Sequence, residues 1–166
     1  MLKYLLIILI MLISVSVFSQ DKKVFEKQVT DLLKDFPNKY KNLRSKDSFT
    51  LKFGISGTAD EEPFIMDGTN GVYTSSSLGF LDKKEDAKSW FDDWVTMISS
   101  LTPNGFKLKA EDCPTGGQMN VTFCKKWKLD NSKNNVPIKY QAFGIHVTYT
   151  YTGTSYLGYL YIGDVE

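Results

Sequence analysis

The chain has 166 residues, of which 42% are hydrophobic and 14% aromatic, with 20 basic against 19 acidic side chains. That apolar content argues against an intrinsically disordered polymer, which has too few such residues to offset the entropy of ordering. The near-zero balance argues against a nucleic-acid binder, because phosphate recognition needs a basic excess or a basic stripe.

Residues 1–19 read as a secretory signal peptide. Lys3 supplies the single charge of the n-region, and Leu5 to Phe18 is a continuous run of apolar and small residues. Val17-Phe18-Ser19 offers a cleavage site, which starts the mature chain at Gln20 or Asp21. The run is shorter than the roughly 20 apolar residues that span a bilayer. Export to the periplasm or beyond the cell is therefore expected, with membrane attachment only if the leader stays uncleaved. Residues 20–166 have the size of one domain. They hold 19 basic and 19 acidic side chains, since Lys3 is the leader's only charge.

Residues 22–36 predict a helix with Phe25, Val29, Leu32, Leu33 and Phe36 on one stripe, stopped by Pro37. The basic link 38–48 reads as a solvated connector. Phe49, Leu51, Phe53 and Ile55 alternate with Thr50, Lys52 and Gly54, the pattern of a half-buried strand. Residues 56–71 are acidic and turn-rich around the apolar island Phe64-Ile65-Met66. Residues 72–80 read as a weak second strand or an irregular segment.

Asp82 to Leu101 gives the clearest helical signal. Asp82 and Glu85 match a capping box, and Ala87, Trp90, Phe91, Trp94, Met97, Ile98 and Leu101 fall on one face. After Gly105 the pattern is all strand: 106–111, then Met119 to Leu129, Ile138 to Tyr151 and Tyr156 to Ile162. Lys125 is the polar exception among the inward positions 119–129 and predicts a place near the sheet edge. Placing Gly153-Thr154 at the centre of a two-residue turn pairs Tyr151 with Tyr156, Tyr149 with Gly158, Val147 with Leu160 and Ile145 with Ile162. The other face then pairs Thr150 with Leu157, Thr148 with Tyr159 and His146 with Tyr161.

These elements predict an α+β two-layer sandwich. Two main helices cover one face of a largely antiparallel sheet of about five strands that ends in a β-meander. Trp90, Phe91, Trp94 and Ile98 would meet Phe49, Leu51, Phe53, Val121, Phe123, Val147 and Leu160. The opposite face would carry Asn120, Thr122, Lys126, Lys128, His146, Thr148, Thr150, Tyr159 and Tyr161.

His146 is the only imidazole, and no Ser-x-Gly elbow or Cys-His pairing motif accompanies it. Cys113 and Cys124 predict a disulfide in an exported chain. A tight turn at Gly116-Gly117 would pair Cys113 with Asn120 instead, so the bridge needs a wide loop or a late start to the next strand. Asp60, Glu61, Glu62, Asp67 and Asn70 could in principle ligate calcium, but they lack EF-hand spacing and read as a solvated turn. No phosphate loop or dinucleotide fingerprint is present. Asn120-Val121-Thr122 is an N-glycosylation sequon only in a eukaryotic secretory pathway. The expected function is an exported, non-catalytic binding or interaction module without metal or cofactor. Its site would be His146, Thr148, Thr150, Tyr159 and Tyr161, and its partner an envelope or extracellular protein or glycan. The competing expectation is a small envelope hydrolase using His146 and a carboxylate.

Overall fold

A computed structural model describes residues 22–67, 71–117, 119–132 and 135–164. The expected leader, the mature start at residue 20 or 21, and Asn70 of the acidic turn lie outside these residues. Helix α1 covers residues 22–35 and α2 covers Lys84–Ser99. The six strands are β1 Phe64–Asp67, β2 Val72–Leu81, β3 Leu108–Asp112, β4 Val121–Leu129, β5 Phe143–Tyr151 and β6 Tyr156–Asp164. They form one antiparallel sheet in the order β1-β2-β6-β5-β4-β3. The fold is an α+β sandwich, with six strands in place of about five.

Both helices bury one stripe against the inner sheet face. Phe25, Val29, Leu32 and Leu33 of α1 are fully buried, as are Ile145, Val147, Leu160 and Ile162 of the two central strands β5 and β6. Phe25 meets Trp94 of α2 edge-on at 5.4 Å. The chain then leaves α1 around the buried Asp35, whose carboxylate accepts from the Asn42 backbone N–H and from the Asn38 and Asn42 side-chain amides. The link 38–48 is therefore folded onto the helix end, and its Tyr40 is buried, donating to the Ile162 carbonyl.

The β5–β6 register is the one that the alternation predicts, from Tyr151 opposite Tyr156 to Ile145 opposite Ile162. Gly153 takes φ 99°, the left-handed value that the first turn position demands and glycine meets without steric cost. Lys125 has inward parity beside the edge strand, and its ammonium reaches Asp112 of β3 at 2.6 Å.

Four expectations are corrected, and the open reading of 72–80 resolves to a strand. Residues 49–55 are not a strand. Leu51 and Ile55 are buried, but Phe49 is 69% exposed, and only isolated bridges tie Thr50 to Phe64 and Leu51 to Arg44. This segment is a strap. Gln28 of α1 clasps it, donating to the Gly54 carbonyl and accepting from the Ser56 N–H. Residues 72–81 are a full ten-residue strand in the sheet interior. Their polar sequence hides it because the strap region covers part of their inner face with hydrogen bonds. Ser76 donates to Thr58 and Asp60, and the Ser77 N–H donates to Asp60.

Trp90 is 46% exposed. At 100° per residue it lies roughly 70° round the helix from the centre of the Ala87, Phe91, Trp94, Ile98 stripe. Asp82 does not cap α2, because the N-cap position falls to Lys83, which is extended and makes no side-chain cap bond. Strand β5 starts at Phe143 rather than Ile138, which sits in a 3-10 turn after Pro137.

Candidate functional site

The outer sheet face is built by strand parity. On β4 it presents Cys124 and Lys126, on β5 His146, Thr148 and Thr150, on β6 Tyr159 and Tyr161, and on β2 Tyr73, Ser75 and Ser77. All of these except Ser75 and Ser77 line an open cavity of about 450 Å³. All five sequence-predicted residues, His146, Thr148, Thr150, Tyr159 and Tyr161, line it. The volume lies in the range that holds small ligands, roughly 300–1,000 Å³.

One wall is the β3–β4 loop. Asp112 pairs with Lys125, so the next residue, Cys113, falls opposite Cys124, and the two form a disulfide with Cα atoms 5.6 Å apart. The next strand starts late, at Val121: Gly116 bridges Val121, and the turn closes with the Asn120 N–H donating to Gly117. Pro114 and Met119 stand on the rim, and Met119 is 69% exposed. Val121 corrects another expectation. A register shift between Val121 and Phe123 turns it away from the helices to face Thr150 and the cavity. Phe123 beyond the shift faces inward and stacks on Phe91.

Aromatic rings run across the floor. Tyr161 contacts His146 at 5.4 Å, Tyr159 at 6.0 Å and Tyr73 at 5.8 Å between ring centroids. Burial, and then the neighbouring Tyr159 and Tyr73, push the Tyr161 hydroxyl up to about 12, so it stays a neutral phenol. Burial, and then the Lys126 ammonium, push His146 below its ordinary 6.5, so the imidazole is neutral at physiological pH. Its Nε2 lies 2.9 Å from Cys124 Sγ. A disulfide sulfur carries no hydrogen, so Nε2–H is the donor. Lys126 is 3.8 Å from Glu111, and Asp164 stands at another margin. The lining is thus mostly rings, hydroxyls and sulfur, with one lysine, Lys126, and one acidic residue, Asp164.

The acidic segment is engaged in the fold. Asp60 holds Ser76 and Ser77, Glu62 accepts from Thr50, and Asp67 lies 3.9 Å from Arg44. The cavity residues missed by the sequence reading are Tyr73, Met119, Pro114, Val121 and Asp164. Tyr73 carries no signal until β2 is recognised as a strand, and Val121 none until the register shift is known.

The fold and site together define a class: a two-layer α+β domain with an open cavity on the outer sheet face, walled by a disulfide-tied loop. Compared with known proteins, the chain matches no family model, no curated protein and no solved structure.

Proposed function

We propose that this is an exported binding module of the cell envelope or extracellular space, and that its ligand is an uncharged, ring-shaped polar group such as an envelope glycan. The observation that carries this reading is the aromatic floor of the 450 Å³ cavity, Tyr73, Tyr159, Tyr161 and His146, with Thr148 and Thr150 beside it. A sugar has an apolar C–H face and a rim of hydroxyls. Ring faces and neutral Tyr and Thr hydroxyls complement both. The lack of net charge on the floor favours a neutral ligand over a phosphate or nucleic acid. Export is supported by the leader pattern at 1–19 and by a disulfide, which persists in oxidising compartments. No described helix is long and apolar enough to cross a membrane.

A hydrolase using His146 and a carboxylate is the second reading, favoured by Asp164 at the margin of the same cavity. It ranks lower because Nε2 of His146 is committed to the disulfide sulfurs and the charge acting on the ring is a lysine. The test is binding of envelope glycan fragments to the wild type and to the Tyr159→Ala, Tyr161→Ala variant. Loss of binding with an unchanged circular dichroism spectrum is expected. Binding that survives both substitutions removes the site.

A further inference from the structure

Two sulfurs and one imidazole nitrogen converge at the disulfide wall. Cys124 sits on β4 and His146 one diagonal away on β5, because Cys124 faces Thr148 and Lys126 faces His146. His146 Nε2 lies 2.9 Å from Cys124 Sγ and 3.7 Å from Cys113 Sγ. The three ligand atoms lie within 4.8 Å of one another. All three residues line the cavity. A structural disulfide needs two facing cysteines and no third group, so a histidine aimed at both sulfurs calls for a separate explanation.

In a tetrahedral zinc site the sulfurs stand about 2.3 Å and the nitrogen about 2.0–2.1 Å from the metal, which puts the ligand atoms roughly 3.5–3.8 Å apart. The nitrogen–sulfur distances already bracket that value. The sulfur–sulfur separation must open by about 1.7 Å from a bonded pair, and the shorter nitrogen–sulfur distance by roughly 0.6 Å. Cys113 lies beyond the end of β3, in the irregular run 113–115, and is free of the ladder. It can withdraw while Cys124 and His146 keep their rungs.

We propose that the reduced protein uses Cys113, Cys124 and His146 as a three-ligand site for a thiophilic d10 cation, Zn(II) or Cu(I), with the fourth position open to the cavity. Thiolate and imidazole ligands select these ions over harder cations. The steps balance. A dithiol reductant passes two electrons and two protons to the disulfide, becoming a disulfide itself and leaving two thiols. The cation then displaces both thiol protons to solvent. His146 changes tautomer on reduction, losing the Nε2 proton to solvent and taking one up on Nδ1, so that Nε2 offers its lone pair. In the oxidised protein the sulfurs are bonded to each other, so metal uptake is gated by reduction.

The test titrates Zn(II), and Cu(I) in parallel, into anaerobically reduced and into oxidised protein against a competing chromogenic chelator. Far-ultraviolet circular dichroism is recorded at each stage. One metal per reduced chain and none per oxidised chain is expected, with either cation sufficing. Reduced His146→Ala, which keeps both cysteines, should bind at least about tenfold more weakly, the least that loss even of an outer partner costs a metal site. Cobalt(II) should give tetrahedral d–d bands and thiolate charge transfer in the reduced wild type only. Equal uptake by oxidised protein, unchanged affinity in His146→Ala, no uptake at all, or loss of the sheet spectrum on reduction would each overturn the proposal.

Discussion

Gly158 sits on the inner face of β6, opposite Tyr149 of β5, and the fit there is tight enough to test the packing. A Cβ added to Gly158 would stand 2.6 and 2.7 Å from Tyr149 ring carbons and 2.8 Å from Leu78 Cβ. Comfortable carbon contacts are about 3.5–4.0 Å. The new methyl therefore overlaps two walls at once, by nearly 1 Å each. Neither wall yields cheaply. Tyr149 is fully buried with its ring edge-on to Phe91 at 6.5 Å, and Leu78 is buried on β2. Overpacking of this kind costs about 1–3 kcal/mol. Alanine recovers about 0.5–1 kcal/mol of backbone entropy that glycine loses in a strand. With clashes on both sides the net loss for Gly158→Ala is about 2 kcal/mol. For a domain of this size, with m near 2 kcal/mol per M, the urea midpoint should fall by about 1 M at constant m. Removing the ring should soften the effect, so Gly158→Ala and Tyr149→Leu should couple by at least about 1 kcal/mol in a double-mutant cycle. A Gly158→Ala protein as stable as wild type would mean that Tyr149 does not lie over Gly158, and the β5–β6 register would be wrong.

Two further outcomes follow from the cavity wall. The Cys113–Cys124 link closes an 11-residue separation, so Cys113→Ala with Cys124→Ala should lower the unfolding free energy by about 3 kcal/mol in the chain-entropy treatment. A change below about 1 kcal/mol in urea unfolding would contradict a bridge in the native state. His146 is held neutral by burial and Lys126, below its ordinary 6.5. Below that pH the unfolded chain binds a proton that the fold resists, so the stability from His146 is complete above about 6.5 and is lost as pH falls towards the folded value. The stability difference between wild type and His146→Gln should therefore shrink from pH 7 to pH 5, and a flat difference would refute the burial of this ring.

Much of this architecture is legible in the chain because burial writes a period. The α1 stripe and the β5–β6 pairing follow from spacing alone, and Gly153 fixes the register between them. That register also places His146, Thr148, Thr150, Tyr159 and Tyr161 on one face. The illegible parts are those where tertiary contacts override the period. Strand β2 buries Thr74 and Ser76, hydroxyls where apolar residues are expected; Thr58 and Asp60, which follow the strap, bond to Ser76. The segment 49–55 alternates like a strand but is pulled aside by Gln28. Trp90 matches the helical stripe by spacing and misses it by angle. At the site, a one-residue shift between Val121 and Phe123 sends Val121 to the cavity. Tyr73 joins it only through the pairing of β2 with β6, which no local pattern encodes.

In the proposed function the outer sheet face binds a neutral ring-shaped ligand in the cavity. The most direct measurement is a two-dimensional NMR titration of the oxidised protein with a panel of envelope glycan fragments. Saturable shifts centred on Tyr73, His146, Thr148, Thr150, Tyr159 and Tyr161 are expected, with the helix face of α1 and α2 silent. Shifts centred on the helices, or none with any fragment, would contradict it.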